Sequence, residues 1–465
     1  MVYSTPEQLS FHPIAGHTVR ADFEGGALSS DFGVLLLRGI DRQIGLTARL
    51  AAAIHDTRHP SYIAHPLRDL LAQRSYHIAS GYADGHAANS RRRDPLCKLG
   101  GERPPLAPEQ DLASAPTFSR LAHRVDRQDL YRLTRALGAH CVASDPEPPA
   151  AIVLDLDHTD DPTHGQQEFA FYNHYYKNYC YLPLLIFAGL SGAWVTACLR
   201  PGTRPTGAEK AMILVRLLAV LRRHWPQPPI RVRGDSHCAT PEVIEGRAPR
   251  PLIAFVFGLA GHPVLLRPAE PVLQAARHLH PQPPARAQAH HAHPPDRRRL
   301  YAECASAAAS WAQPWRGILK AEVRAAGDNP RLVVTSLAAP TPPQTYEAIY
   351  WARGHWEHHL KAVKGDRHSD RPSATTCLAH ALRLLLAGAA DVLPQALRTS
   401  TLQQTPLAHA QPSTVIRTRF QVAAQVKQDK DRFLLHLPSA CPVKALRHRV
   451  TAWLSLVPLP GVNSS

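Results

Sequence analysis

The chain has 465 residues, 44% of them hydrophobic, which allows a sizeable core and roughly three domains. Lys and Arg outnumber Asp and Glu by 53 to 37 and the pI is about 9.8, a balance that points to a polyanionic partner, nucleic acid above all. Eight cysteines without a CxxC pair argue against zinc knuckles and a disulfide scaffold and fit a reducing cytoplasm, and the start Met1-Val-Tyr-Ser-Thr-Pro does not read as a signal peptide.

Residues 1–147 read as a helical region. Segment 62–79 carries Leu67, Leu70, Leu71 and Ile78 at helical spacing, and 126–137 is a second amphipathic stretch. The basic Arg91-Arg92-Arg93 between them reads equally as a phosphate contact or a solvated loop. After Pro148-Pro149 the texture changes. Residues 150–156 are short, apolar and β-branched, the pattern of a buried strand, and a polar loop follows over 157–165. Residues 169–199 read as meandering strands. Within them the uncharged run 181–199 is long enough for a bilayer, but Pro183, Gly189, Ser191 and Gly192 divide it into two strands, so no membrane partner is expected. Thr206 is placed to cap a helix over 209–225 with Ile213, Leu214, Leu217, Leu218 and Leu221 on its apolar face. A second buried strand over 229–233 ends at Gly234-Asp235-Ser236, a short helix is expected near 241–246, and 252–259 is a third apolar run. Residues 267–299 are rich in Pro and Ala. Their histidines (His278, His280, His290, His291, His293) fit a connector better than a metal site. Strands over 315–323 and 330–337 form a β-rich insert, 375–393 is an apolar helix, and the remainder is a mixed tail with a helix near 443–456.

Asp155 and Asp157 fall at the C-terminal end of one expected strand, on the same face, and Asp235 at the end of another; sites collect at such strand ends. Read as a helix, residues 350–364 put Tyr350, Arg353, Glu357, Leu360, Lys361 and Lys364 on one face, a carboxylate among basic side chains that suits a metal ion and a polyanion together. Carboxylates converging with little nearby sulfur are ligands for Mg²⁺ or Mn²⁺, and such ions serve phosphoryl transfer. Each acid alone also reads as a helix cap or an ion-pair partner, and the 350–364 face as a solvated surface.

The order Tyr350, Arg353, Glu357, Lys364, preceded by Asp157-x-Thr159 and Gly234-Asp235-Ser236, resembles the three acidic motifs of DDE-type insertion-sequence transposases. The string 156–167, Gly81-Tyr-Ala-Asp84, the string 113–121, and Lys320-Ala-Glu322 with Asn329-Pro-Arg331 are similar to insertion-sequence family thirteen-eighty, over about residues 15–455. The sequence departs from that pattern after Tyr82, where a second acidic position is missing, at His237, where glycine is usual, and in the irregular run 279–296.

The resemblance implies an α/β protein with an RNase H-like catalytic core interrupted by a β-rich insertion. Its expected layout is a helical DNA-binding region at 1–147, the first part of the core at 148–262, the connector and insertion at 263–342, the last part of the core at 343–400 and a tail at 401–465. It implies a transposase that cleaves DNA at element ends and transfers the strand to target DNA. Asp157, Asp235 and Glu357 are the expected catalytic and metal-holding acids, with Asp155 as the other choice for the first. Tyr350, Arg353, Lys361 and Lys364 are expected on DNA, Mg²⁺ or Mn²⁺ as cofactor, DNA and a second copy of the chain as partners, and the bacterial cytoplasm, at the nucleoid, as location. A metal-dependent nuclease without strand transfer and an inactive DNA-binding derivative are the alternatives.

Overall fold

In the computed structural model, which describes residues 9–143, 147–246, 252–279, 297–324, 326–354, 374–405, 407, 408, 410, 414, 421–441 and 444–456, the chain divides into two units. The first unit takes in the described residues up to Asp129 and those from Ala389 onward; the second takes in those from Leu130 to Gly354 and from residue 374 to Gly388.

The first unit opens with strands rather than helices. A turn at Ala15 and Gly16, with φ of 51° and 80°, joins β1 (Leu9–Ile14) to β2 (His17–Ala21), the backbone that tight hairpins require. The period-2 signal is weak here because Leu9, Phe11 and Ile14 are all exposed. A two-residue strand, β3 (Leu28–Ser29), then leads to α1 (Gly33–Ile44), α2 (Leu46–Ala53), α3 (Leu67–Ala79), α4 (Ala87–Arg91), α5 (Pro95–Gly100) and α6 (Ala115–Arg124), of which the sequence singles out the stretch of α3. Leu70, Leu71, Tyr76 and Ile78 of α3 are fully buried, each contributing about 2 kcal/mol by area. Helix α7 (Arg127–Ala143) carries the chain into the second unit.

The second unit is built on one wide mixed sheet. Its strands are β4 (Ile152–His158), β8 (Leu184–Ala188), β9 (Trp194–Cys198), β10 (Ile230–Gly234), β11 (Ile253–Leu259), β12 (Arg297–Ser306), β13 (Trp315–Arg324), β14 (Gly327–Asp328) and β15 (Arg331–Thr335). Across the sheet the order is β12-β13-β15-β11-β10-β4-β8-β9, with β14 added to β13. Strands β4, β10 and β11 run parallel; every other pairing is antiparallel. The strands read from sequence as an insert therefore extend the same sheet beyond β11. A small separate sheet, β5 (Asp161–Pro162), β6 (Phe171–Asn173) and β7 (Asn178–Tyr181), occupies the connection between β4 and β8. The run expected to break into two strands does so: β8 and β9 pair antiparallel around Gly192, whose φ is 72°.

Helix α8 (Gly207–His224) crosses from β9 to β10. The Thr206 hydroxyl accepts from the Glu209 amide as the expected cap. Leu214, Leu217, Leu218 and Leu221 pack on Ile152, Leu154, Leu156, Ile230, Val232, Phe255 and Phe257, together with Val243 and Ile244 of α9 (Pro241–Glu245). On another part of the sheet, α10 (Pro263–Leu266) leads to α11 (Glu270–His278), whose Leu273 and Ala276 cover Leu319, Ala321, Val323 and Leu332. Helix α12 (Cys377–Thr401) is long and apolar enough to cross a membrane, and 72% of its most apolar window is buried in protein. Returning to the first unit, β16 (Ala424–Gln428) pairs with β17 (Phe433–His436) and with β3, and α13 (Lys444–Leu456) lays Leu454 against Gly39 of α1.

Candidate active site

The parallel pairing of β4 with β10 matches Leu156 to Gly234. An aspartate follows each of these residues, Asp157 still within β4 and Asp235 just past the end of β10, and the charge of Asp235 reaches Asp157. Gly234 is required at this point, since a Cβ there would come within 2.7 Å of the Cys238 Sγ. Each carboxylate meets a cationic or ionisable group from its own chain. Arg353 Nη2 donates to Asp157 Oδ2 at 2.5 Å, while the His158 amide donates to Oδ1 at 2.8 Å. The His237 amide donates to Asp235 Oδ1 at 3.0 Å, and its Nδ1 lies 2.7 Å from Oδ2.

Burial pushes Asp157 up, the Arg353 guanidinium opposes that, and the neighbouring Asp235 adds to it, leaving Asp157 well above the ordinary carboxylate range. Asp235 is also buried, but His237 outweighs the burial and holds it below that range. His158 is pushed down to about 3 by burial, and neither of its ring nitrogens has a hydrogen-bond partner among the described residues. This donor set fits a hard divalent cation: oxygen ligands brought close, one of them disfavoured as a bare anion by burial and then by the other's charge.

Arg353 reaches Asp157 because of how the preceding segment is seated. Residues Gln344–Tyr350 wind as a π-helix and pass into a 3₁₀ turn, Trp351–Gly354. Arg233 of β10 donates from Nη1 to the Ile349 carbonyl at 2.8 Å. Arg299 of β12 bonds Glu347 at 2.8 Å, and the Tyr301 hydroxyl donates to the same carboxylate. The Tyr350 ring lies against Gly258 of β11, where a Cβ would collide with its hydroxyl. The described part is thus not the regular α-helix read from the sequence; ties to the sheet set its winding. Glu357, Lys361 and Lys364 lie outside the described residues.

Asp155 is differently placed from Asp157. Arg233 Nε and Nη2 grip its two oxygens at 2.6 and 2.7 Å, and both side chains are buried. The sequence signals only that an arginine inside an apolar strand needs a counter-charge; that Asp155 supplies it follows from the register, in which the two are partners. His237 and Tyr176 were also missed as site neighbours. Their signal is turn geometry, which residue spacing does not carry.

The motif Lys320-Ala-Glu322 with Asn329 is structural. Lys320 Nζ bonds Glu322 Oε2 at 2.7 Å, the Asn329 amide donates to the Glu322 carbonyl at 2.7 Å, and Lys320 also lies 5.6 Å from the Trp351 ring centroid. Among the described residues, one further group has ligand atoms close enough for a metal: Asp31, Asp94 and Cys97, in the first unit. It is already engaged. The Tyr82 hydroxyl and Arg91 bond Asp31, while Asp94 accepts from Ser29 and caps α5. The Gly81-Tyr-Ala-Asp84 string therefore supplies a buttress in Tyr82.

No curated protein matches the chain. A solved structure, the cryo-EM structure of a piggyBac transposase synaptic complex with hairpin DNA, is similar at 12% identity and a TM-score of 0.41, covering 94% of this chain and 87% of that one. The family model described as Transposase DDE domain group 1 matches residues 11–459, and the chain belongs to that family.

Proposed function

We propose that this transposase cleaves DNA at the ends of an insertion sequence and joins the freed 3′ hydroxyl to target DNA, using Asp157, Asp235 and Glu357. The observation that carries this reading is the placement of Asp157 beside Asp235 by the β4–β10 register, with Arg353 delivered to the same point four residues before Glu357. The strand order β9-β8-β4-β10-β11, with β8 antiparallel to β4 and α8 crossing before β10, supports an RNase H-like core. The pairing of Asp155 with Arg233 supports Asp157 as the first acid.

Asp157, Asp235 and Glu357 would hold Mg²⁺ or Mn²⁺, which would supply charge neutralisation at the scissile phosphate and help activate the attacking oxygen. The chain's own residues do the rest. Arg353, released from Asp157, offers its planar fork to a phosphate oxygen. Tyr350, seated on the sheet, fixes where that fork begins. Lys361 and Lys364 are assigned further phosphate contacts on the DNA end. Water attacks phosphorus and gives up a proton as the P–O3′ bond breaks and the 3′ oxygen leaves with the electron pair and takes a proton; the same 3′ hydroxyl later attacks a target phosphorus, losing its proton and displacing the target strand's 3′ oxygen, which leaves as a hydroxyl. A pair of chains would hold two element ends at once. Membership of insertion-sequence family thirteen-eighty, and action at the nucleoid of a bacterial cytoplasm, go with this reading.

The test is cleavage of labelled duplexes carrying the DNA that flanks the gene. Wild-type protein should cut at the element boundary and yield joined products. Asp157→Asn, Asp235→Asn and Glu357→Gln should each bind the duplex and fail to cut. Cutting without joining would leave a nuclease; undiminished cutting by Asp235→Asn would remove the site.

A further inference from the structure

The β6–β7 hairpin presents aromatic rings to solvent. Between Phe169 and Tyr181 the sequence is Phe-Ala-Phe-Tyr-Asn-His-Tyr-Tyr-Lys-Asn-Tyr-Cys-Tyr, with no acidic residue. Tyr172 and Tyr179 are cross-strand partners, 45% and 60% exposed, with ring centroids 5.5 Å apart. Tyr175, at the turn, is 80% exposed and sets its ring edge-on to Tyr176. Phe169 and Phe171 are exposed as well. Single exposed aromatics are ordinary, but four on one hairpin, with Phe169 just before it, mark a binding surface.

The hairpin is firmly held from behind. Cys180 is buried, and Gly202 lies so close to the Cys180 and Phe171 carbonyls that no Cβ would fit. Asn173 donates to the Gly202 carbonyl at 2.9 Å, and its own side-chain oxygen accepts from the Tyr175 amide at 3.0 Å, which shapes the turn. The face is also near the catalytic acids. Burial, then the charges of Asp160, Asp157 and Asp235, push the Tyr176 hydroxyl upward. Lys177 and His174 stand exposed in the same turn.

We infer that this hairpin is a stacking platform for an unpaired nucleobase of the DNA being processed, with Tyr172, Tyr175 and Tyr179 supplying the rings and Lys177 the backbone phosphate. Flat, amphipathic rings beside a cation, on a segment that carries no acidic residue of its own, match a base and its phosphate, and stacking tolerates any base sequence. The inference rests on the proposed DNA chemistry.

Two probes decide it with the full-length chain: a blunt duplex, and the same duplex with a short single-stranded tail carrying 2-aminopurine. The wild type should bind the tailed duplex more tightly and quench its fluorescence. Tyr175→Ala and Tyr179→Ala should each weaken tailed binding by roughly fivefold to a hundredfold and leave blunt binding unchanged. Tyr175→Phe and Tyr179→Phe, which keep the ring, should bind as the wild type does and control for folding. If the blunt duplex binds and the tail adds nothing, the platform is refuted while the DNA reading stands. If neither duplex binds, both fail. If the alanine variants instead lose self-association at unchanged tail affinity, the face is a contact between copies and the platform is refuted.

Discussion

Replacing Glu322 with Gln should destabilise the second unit substantially, because Glu322 sits at the centre of a buried charge network. Its carboxylate is bonded by Lys320 at 2.7 Å and Arg299 at 2.9 Å; the Lys320 side chain is fully buried and that of Glu322 is 4% exposed. Burial alone would raise its pKa, but the two cations outweigh burial and hold it at about 2, against an ordinary value of 4.5. That gap corresponds to about 3 kcal/mol at neutral pH. Breaking a buried pair also strands the remaining cation, so the full cost is about 3–5 kcal/mol. At about 2–4 °C per kcal/mol, the melting temperature should fall by at least roughly 6 °C, read by thermal unfolding of wild type and variant at pH 7. The sign with pH is fixed. A depressed carboxylate stabilises fully above its unfolded value and loses that contribution as pH falls through its folded value. The gap between wild type and Glu322→Gln should therefore shrink between pH 4.5 and about 2. A melting loss below about 1 °C at pH 7, or a gap that does not change with acid, would refute the reasoning.

Other consequences are open to measurement. Gly388→Ala should cost about 1–3 kcal/mol in thermal unfolding, since a Cβ on that face of α12 collides with the Trp194 ring. His380→Ala should cost about 1–3 kcal/mol, because Asp161 loses a buried partner at 2.8 Å; an unchanged melting temperature would show the pair to be inert. Arg353→Lys keeps the charge but loses the fork, so cleavage of element-end DNA should fall at least about tenfold, with circular dichroism unchanged. DNA affinity should drop steeply with salt, with a log–log slope of about −0.9 for each phosphate neutralised; a flat titration would contradict a nucleic-acid partner.

The parallel core was readable because its strands are buried on both faces and bounded by turn formers. Residues 150–156, 229–233 and 252–259 became β4, β10 and β11 nearly as read. The pairing of Asp157 with Asp235 was readable only as motif order, since register comes from tertiary pairing. The β1–β2 hairpin escaped notice because its apolar residues face solvent. Of the 350–364 stretch read as a helix from spacing, the described residues end a π-helix at Tyr350 and form a 3₁₀ turn over Trp351–Gly354, and Arg233, Arg299 and Tyr301 tie the segment before them to the sheet. The resemblance implied Arg353 on DNA; that it closes an ion pair with Asp157, far away in sequence, could be learned only from the fold.

The central proposal is that Asp157, Asp235 and Glu357 together hold the divalent metal. Iron-directed self-cleavage tests it: Fe²⁺ substituted for Mg²⁺, with ascorbate and peroxide, breaks the polypeptide beside the bound ion. The fragments should map to breaks next to residues 157, 235 and 357, should be suppressed by excess Mg²⁺, and should vanish in Asp235→Asn. Breaks confined elsewhere, such as beside Asp31 and Asp94, or a pattern indifferent to Asp235→Asn, would contradict it.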